Sequence, residues 1–397
     1  MKVRISLAAL AVTALVAAGC GSSNSTTTTS AATSATGTST QAAASGGGSG
    51  SCAASIGIEA PLTGQVAVLG QEQLAFAKLA IADDNKANGT NITLVQGDTQ
   101  LMPAQATTVT QQFISNNKIV GVVGPAGSQE VEAVGPLFGR AGLAFISGSA
   151  TNPTLTTSGK NPTFFRTVSR DDVQGPQDAA FIVKHLHPKA LMIVDDQEVY
   201  STGLVSSMIP VFQKAGIKVD HESVSQKVTD FSSLVAKVTP DTTVVVLPWQ
   251  VAANAQQFGK NLAEQKKNAT IVGTDGTFSP SAFTTAGSYV SSFGPDITAI
   301  PADASIVTAA KAAFPKFGTF GPPIYAATHV LDEAIAAACK SGTPSRDNVL
   351  SAVKQTSEGT SILGQPIHFD TKGDLIDAKW FLFKINQQGK YTLVTGS

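Results

Sequence analysis

The chain has 397 residues, of which 42% are hydrophobic, and its 27 Lys and Arg nearly balance 28 Asp and Glu. The net charge of −1 argues against nucleic acid and anionic membrane surfaces as partners, because both are bound through a surplus of positive charge. Three cysteines are too few for a small disulfide scaffold and too scattered for a zinc site, whereas the length allows more than one hydrophobic core.

Residues 1–19 have the pattern of an export signal. Lys2 and Arg4 precede an apolar run, Ile5 to Ala18, which is shorter than the about 20 residues that a membrane-spanning helix needs. The run ends in small residues followed by Cys20, and this ending resembles that of bacterial lipoproteins, where acyl chains on the cysteine form the anchor. We therefore expect an extracytoplasmic protein held at the cell membrane by lipid on Cys20. The alternative is an ordinary secretory signal with a chance cysteine.

Residues 20–51 are expected to form a flexible tether after the lipidated cysteine. The 31 residues 21–51 carry no charge and consist mainly of 9 Ser, 8 Thr, 6 Ala and 6 Gly. Such a segment has too few large apolar side chains to build a core. The globular part is therefore predicted to begin at residue 52.

Short apolar runs alternate with helical patterns through the rest of the chain. Strands are predicted at 56–58, 92–95, 119–123, 143–146, 191–194, 217–224, 244–247 and 271–272. Helices are predicted at 71–87, from 103 onwards, and at 128–140, 200–214, 231–238 and 251–265. After residue 298 the pattern predicts helices at 303–313, 323–340 and 346–356 and strands at 380–385 and 391–394. Repeated β-α units predict an α/β fold with parallel sheets covered on both faces, divided near 166–170 into two doubly wound lobes.

Two hydroxyl-rich loops follow neighbouring predicted strands. The run from Gly121 to Gly127 leads to Ser128 at a helix N-terminus, where unpaired N–H groups favour an anion. Its glycine spacing matches neither a dinucleotide-binding loop nor a P-loop. The run from Ser147 to Thr151 likewise places hydroxyl side chains directly after the next predicted strand. Ligands of open α/β sheets bind at this edge, although a plain helix cap would use Ser128 in the same way.

The sequence offers no set of catalytic residues. A G-x-S-x-G nucleophile elbow is missing and the five His are scattered, so neither an α/β hydrolase nor a metal site is predicted. Asp275 directly follows a predicted strand and is followed by Gly276, which also suits an ordinary turn. The aromatic residues near loops can be either core or pocket residues: Tyr200, Trp249 and Phe320.

Taken in order, these segments resemble the bacterial type I periplasmic binding proteins that bind leucine, isoleucine and valine for ABC importers. The resemblance covers about residues 55–395, and the segments that carry it are 60–64 with Gly70, 142–151, 165–176, 229–235 and 273–276. It implies two lobes joined by three crossovers with the ligand clamped between them. The first lobe would comprise 52–168 and 298–378, and the second 169–297 and 379–397.

The resemblance also implies a set of ligand-binding residues. Ser128 matches the serine that meets the ligand carboxylate, and Ser149, Ala150 and Thr151 match the loop that contacts both carboxylate and ammonium. Asp275 takes the place of a glutamate that pairs with the ammonium. Tyr200 and Phe320 match a tyrosine and a pocket phenylalanine of the family. Trp249 stands where the family has tyrosine, and Leu69 replaces an aromatic residue.

The protein is expected to capture a small amino acid, either branched-chain or a related apolar one, and to deliver it to ABC permease subunits. It is expected to act as a monomer and to need neither a cofactor nor a metal. The alternative is a receptor module of the same fold that signals through a partner protein. The family's disulfide does not carry over, because Gly127 stands at one of its positions. Since the two-lobe fold would bring Cys52 and Cys339 into the same lobe, a bridge between them is predicted, with free buried thiols as the alternative.

Overall fold

The computed structural model describes residues 52–396. The export signal, Cys20 and the tether predicted for 1–51 lie outside the described residues. The described chain contains two large, mainly parallel sheets with helices packed against them, which confirms the predicted α/β class. From 52 to 396, no helix is both long and apolar enough to cross a bilayer.

The first sheet has five parallel strands in the order β2-β1-β3-β4-β5. Its strands are β1 (Ala53–Ala60), β2 (Asn91–Asp98), β3 (Ile119–Val123), β4 (Ala144–Ser147) and β5 (Phe164–Arg166). The intervening helices are α1 (Ala67–Asn88), α2 (Pro103–Ser115), α3 (Ser128–Arg140) and the short α4 (Thr154–Thr157). Every residue of β3 is buried, because helices cover both faces of the sheet and both faces therefore favour apolar side chains.

The second sheet follows along the chain and has seven strands. Five are parallel, in the spatial order β10-β9-β8-β6-β7: β6 (Ala190–Asp195), β7 (Lys218–Ser223), β8 (Thr242–Leu247), β9 (Thr270–Gly273) and β10 (Tyr289–Ser292). The helices of this part are α5 (Asp171–Phe181), which continues into a π-helical turn (Ile182–Leu186), α6 (Val199–Lys214), α7 (Ser232–Ala236) and α8 (Ala252–Glu264).

The chain then returns to the first sheet before it ends in the second. The returning helices are α9 (Ala304–Ala313), α10 (Gly321–Lys340) and α11 (Arg346–Val353), and α10 packs along α1 while α11 reaches β3. A small antiparallel pair follows, β11 (Ser357–Glu358) and β12 (Ile367–His368). The last strands, β13 (Phe381–Ile385) and β14 (Tyr391–Gly396), add to the second sheet in antiparallel fashion. The chain therefore passes between the two sheets three times.

Apart from very short elements such as α4, β11 and β12, the sequence patterns leave three elements of the described chain unpredicted. These are β5, α5 and β10, which the alternation of apolar runs leaves out. Strand β5 has only three residues, helix α5 contains Pro176 in its interior, and β10 ends in two buried serines, Ser291 and Ser292. Each departs from the periodicity by which strands and helices are recognised.

Cys52 and Cys339 form a disulfide, with Cα atoms 5.8 Å apart. Cys52 directly precedes β1, and Cys339 lies in the last turn of α10. The bridge therefore fastens the start of the first sheet to a helix that is 287 residues further along the chain, as the cysteine analysis predicts.

Replacing both cysteines by serine is expected to lower the free energy of unfolding by about 2–4 kcal/mol, because the open chain gains conformational freedom when unfolded. Denaturant unfolding of the variant and of the oxidised and reduced wild type measures this effect. The reduced wild type is the control and should match the variant. Two alkylatable thiols in unreduced protein would contradict the pairing.

Candidate functional site

Both sheets have a point where the strand order reverses, and the predicted site residues follow the strands at these points. In the first sheet β1 lies between β2 and β3, and in the second β6 lies between β7 and β8. Connections that leave in opposite directions open a crevice at the carboxyl ends of such strands. The loops and helices after β3, β4, β6, β8 and β9 carry Ser128, Ser149, Ala150, Thr151, Tyr200, Trp249 and Asp275.

Ser128 is the first residue of α3 and is buried. Its hydroxyl oxygen accepts a hydrogen bond from the Asn152 N–H at 3.2 Å, so the hydroxyl proton remains to be donated. The Glu130 carboxylate accepts from the Gly127 N–H at 2.8 Å and closes one side of this helix end. Since the first N–H groups of a helix have no partner within the helix, Ser128 marks a position suited to an anion.

The loop after β4 is held in place by its own hydroxyls. The Ala150 N–H donates to the Ser147 hydroxyl oxygen at 3.0 Å, and the Ser149 hydroxyl donates to the Ala126 carbonyl at 2.9 Å. Ser149 also accepts from the Gln73 side-chain amide at 2.9 Å. The Ser149 hydroxyl is thus engaged within the protein, and its predicted contact with a ligand stays a prediction.

Arg166 holds the same loop through hydrogen bonds to the loop's carbonyl groups. Its guanidinium is fully buried and donates to the carbonyls of Ala150 and Asn152, both at 3.0 Å. Its Nε donates to Asp374 Oδ1 at 2.6 Å. This cation was not among the predicted site residues, because the sequence does not show which carbonyls a buried arginine will meet.

Asp275 begins a 3₁₀ turn directly after β9 and is buried. Its carboxylate accepts hydrogen bonds from Gln174 Nε2 at 2.5 Å and from the Tyr200 hydroxyl at 2.8 Å. Burial raises the pKa of Asp275 to about 6, although these two hydrogen bonds oppose the rise. The structure therefore brings the predicted Tyr200 and Asp275 into direct contact.

Asp171 is a second buried carboxylate that the sequence analysis misses. It is the first residue of α5 and is fully buried, and neither of its carboxylate oxygens has a hydrogen-bond partner among residues 52–396. Burial and the nearby Asp275 raise the pKa of Asp171 well above its ordinary value, whereas the adjacent Thr151 hydroxyl opposes this rise. Asp171 stands in the sequence as an ordinary acidic residue of a helix's first turn, which favours negative charge anyway.

Leu69 and Phe320 lie together on the apolar side of the site. Both line a cleft that also contains Gly276, the residue after Asp275. The Phe320 ring is buried and packs edge-on against Phe293, with ring centres 5.5 Å apart. The two predicted apolar contacts from distant parts of the chain thus share one cleft.

Glu72 fixes the position of the segment that carries Phe320. Its carboxylate accepts the backbone N–H groups of Gly318, Phe320 and Gly321 at 2.8, 3.0 and 2.7 Å. Burial raises the pKa of Glu72 to about 7, and the three N–H groups oppose the rise. Since Gly321 begins α10, this carboxylate caps the helix and holds the cleft wall to α1.

The Trp249 ring packs into the core of the second sheet. Its centre lies 4.9 Å from that of Phe231 and 5.8 Å from that of Phe258, and its indole N–H donates to the Val194 carbonyl at 2.8 Å. The backbone carbonyl of Trp249, by contrast, faces Gly276 closely enough that a side chain there would clash. The contacts of the ring are therefore core contacts, and its role in a ligand pocket stays a prediction.

Loops from the two sheets touch each other across the site. The Gln129 side-chain amide donates to Gln250 Oε1 at 2.9 Å, and the Asn152 amide donates to the Val199 carbonyl at 2.8 Å. Gln129 and Asn152 follow strands of the first sheet, and Gln250 and Val199 follow strands of the second. These contacts join loops of the two sheets, and Ser128, Thr151 and Asp275 are all buried.

The arrangement has two electrically distinct ends. The hydroxyl of Ser128 and the N-terminus of α3 form an end that favours an anion. Asp171, Asp275 and the Thr151 hydroxyl form an end that favours a cation, because two buried carboxylates repel each other unless a proton or a positive group lies near them.

Comparisons with known proteins agree with this architecture. A family model for periplasmic binding protein matches residues 53–390. The amino acid binding protein of Pseudomonas aeruginosa is 29% identical over 346 residues, which are 85% of this chain and 91% of that protein.

Two solved structures share the fold. The branched-chain amino acid transporter substrate binding protein LivJ from Streptococcus pneumoniae, solved in complex with isoleucine, matches with a TM-score of 0.76 at 22% identity and covers 86% of this chain and 99% of its own. A solute binding protein of an ABC transporter from R. palustris, solved in complex with 4-hydroxybenzoate, matches with a TM-score of 0.75 at 17% identity and covers 87% of this chain and 97% of its own. Since the family model spans most of the sequence and the fold is the same, the chain belongs to the periplasmic binding protein family, as the sequence resemblance predicts.

Proposed function

We propose that this protein is the extracytoplasmic solute-binding subunit of an ABC importer and captures an apolar α-amino acid. The single observation that carries the ligand class is the pair of buried carboxylates, Asp171 and Asp275, in a site that also contains the helix N-terminus at Ser128. An α-amino acid has an ammonium and a carboxylate a few ångströms apart, and charge-assisted hydrogen bonds to both are the strong ones. An aromatic acid such as 4-hydroxybenzoate has no positive group for the acidic end.

In this proposal the ammonium group lies near Asp275, Asp171 and the Thr151 hydroxyl. The Ala150 carbonyl, which accepts one hydrogen bond from Arg166, has a second lone pair for the ammonium. The ligand carboxylate receives the Ser128 hydroxyl proton and the N–H groups at the start of α3.

The apolar side chain of the ligand would lie toward Leu69 and Phe320. Both line the cleft beside Gly276, and Tyr200 and Trp249 would support the second-sheet side of the pocket through their contacts with Asp275 and Gly276. In this proposal Ser149 contributes indirectly, because its hydroxyl fixes the loop that carries Ala150 and Thr151. The proposed activity is binding and release, with no chemical step.

Ser128 at the anion end follows a strand of the first sheet and Asp275 at the cation end follows a strand of the second, which supports a two-lobe mechanism. We assign 52–168 and 298–378 to the first lobe and 169–297 and 379–397 to the second. Only the closed cleft satisfies both ends of a zwitterion, so the ligand shifts an open–closed equilibrium toward the closed form. Acyl chains on Cys20 and the tether of 20–51 would hold the monomer near its permease.

The ligand class can be tested by thermal shift and calorimetry on the purified full chain. Leucine, isoleucine and valine are expected to raise the melting temperature, because a ligand that binds only the folded state stabilises it. Alanine should bind at least about tenfold more weakly than leucine, since each buried methylene contributes about 0.8 kcal/mol. Aspartate, lysine and 4-hydroxybenzoate are the comparison ligands, and tightest binding by one of them would contradict the proposal.

Leucine binding is expected to weaken as the pH falls below 6. The ammonium needs ionised Asp275, whose pKa is about 6 because the group is buried, so each further pH unit should cost about tenfold in affinity. Calorimetry at pH 8, 7, 6 and 5 measures this. Equal affinity at pH 7 and pH 5 would contradict the role of Asp275.

A further inference from the structure

A second cluster of ionisable side chains lies away from the ligand site, where α1 packs along α10. Ligand atoms of Asp84, His329 and Glu333 lie within 4.8 Å of one another. Asp84 belongs to α1, whereas His329 and Glu333 are four residues apart on α10 and therefore share one face of that helix. The cluster is about 18 Å along α1 from Glu72 at the cleft, at 1.5 Å per residue.

Two of the three prospective ligands already form a hydrogen-bonded pair. His329 Nδ1 lies 2.8 Å from Asp84 Oδ1. Ligands bound tetrahedrally to zinc at about 2.0–2.1 Å are about 3.3–3.4 Å apart, so a shift of about half an ångström makes room for an ion between them. One carboxylate oxygen of Glu333 is fixed by a hydrogen bond, because its Oε1 accepts from the Asn88 side-chain amide at 2.7 Å.

A second feature of the cluster is a set of buried carboxylate oxygens that no protein N–H or hydroxyl group reaches. Asp332 is 1% exposed and Asp84 is 5% exposed. Neither oxygen of Asp332, nor Oδ2 of Asp84, accepts a hydrogen bond from an N–H or hydroxyl group within residues 52–396, and the two carboxyl groups lie close enough to share a proton. Glu358 adds a further acid, 4.0 Å from His329 Nε2. Two buried carboxyl groups in contact are unfavourable unless a proton or a positive group lies between or beside them, and a bound cation would take over the part that the His329 imidazole plays toward Asp84.

We propose that Asp84, His329 and Glu333 form a site for a divalent ion of the zinc type, beside the buried Asp332. Two carboxylate ligands neutralise the ion, and the imidazole ligand selects a borderline metal over calcium or magnesium, which prefer oxygen ligands. The ion would fasten α1 to α10, the two helices whose N-terminal parts form the cleft wall through Glu72 and Gly321. The sequence analysis predicts no metal site, because Asp84 is 245 residues from His329.

The probe is Zn²⁺ alone, titrated calorimetrically into the untagged full chain after treatment with a chelator. The expected result is one Zn²⁺ bound per chain, with affinity reduced at least tenfold in His329→Gln and in Glu333→Gln. Ca²⁺ should bind at least tenfold more weakly than Zn²⁺. Glu333 is exposed, so its variant folds even where His329→Gln does not.

His221→Gln is the matched control. His221 also pairs with an aspartate, Asp195, at 2.8 Å, and it lies on β7 of the second sheet, outside the cluster. This variant should keep the wild-type Zn²⁺ affinity. Absence of a single Zn²⁺ site in the wild type, unchanged affinity in Glu333→Gln, or loss of the site in His221→Gln would overturn the proposal. Leucine binding is a separate measurement, so failure here leaves the ligand proposal standing.

Discussion

Replacement of Asp275 by alanine is expected to reduce leucine affinity tens- to thousands-fold while the protein remains folded. Removing one partner of a buried, hydrogen-bonded charge pair costs about 2–5 kcal/mol, and Asp275 is buried and aimed at the proposed ammonium position by Gln174 and Tyr200. Calorimetry with leucine gives the dissociation constant, and thermal unfolding without ligand checks the fold.

A second variant at position 275 separates the effect of charge from that of shape, and a variant at a nearby surface position serves as its control. Asp275→Asn keeps the size of the side chain and removes the charge, so it should lose nearly as much affinity as alanine and lose the pH dependence as well. Asp172→Ala is the surface control, because Asp172 is exposed and pairs with Arg170. An unchanged dissociation constant in Asp275→Asn would refute the ammonium site.

Asp275 and Asp171 illustrate how far the sequence reaches into the candidate site. Asp275 was predictable because it follows an apolar strand and matches a known pattern in order. Asp171 was not, because an acidic residue in a helix's first turn has an ordinary explanation, and α5 itself was not predicted. Its burial places it near Thr151 and Asp275, two residues of other loops.

The repeating part of the fold was predictable for a physical reason. Strands covered on both faces must be continuously apolar, as in Ile119–Val123, and the helices between them have periodic apolar positions. The same reasoning fails for Phe164–Arg166 and Tyr289–Ser292, which are short and include polar side chains satisfied by distant partners. Ser291, for example, donates to Asp178 Oδ2 at 2.8 Å.

Arg166 is the clearest case of a structural role that only the folded chain reveals. It ends β5, the last strand of the first sheet before the chain passes to the second. Its backbone N–H donates to the Gly373 carbonyl at 3.0 Å, and its guanidinium pairs with Asp374. The returning segment near 374 is thereby joined to the first crossover between the sheets.

Replacing Asp374 by alanine is therefore expected to lower the free energy of unfolding by about 3–5 kcal/mol, since it leaves the fully buried Arg166 without its counter-ion. The Asp374 carboxylate accepts from Arg166 Nε at 2.6 Å, Arg170 Nη1 at 2.9 Å and the Thr156 hydroxyl at 2.9 Å. Burial raises the pKa of this carboxyl, but the Arg166 and Arg170 guanidiniums together lower it below its ordinary value. The stabilisation is thus present at neutral pH and is lost as the pH falls through this lowered pKa.

Urea unfolding at pH 7 measures the loss, and Asp172→Ala is again the control. It removes the other carboxylate bound to Arg170, but at an exposed site, where an ion pair contributes only about 0–1 kcal/mol. Because Arg166 also holds the Ala150 and Asn152 carbonyls, Asp374→Ala should weaken leucine binding too, through displacement of the loop that carries Thr151. If Asp374→Ala has the same free energy of unfolding as Asp172→Ala, the prediction is wrong. Arg166 would then keep its charge without Asp374, and packing alone would hold the crossover.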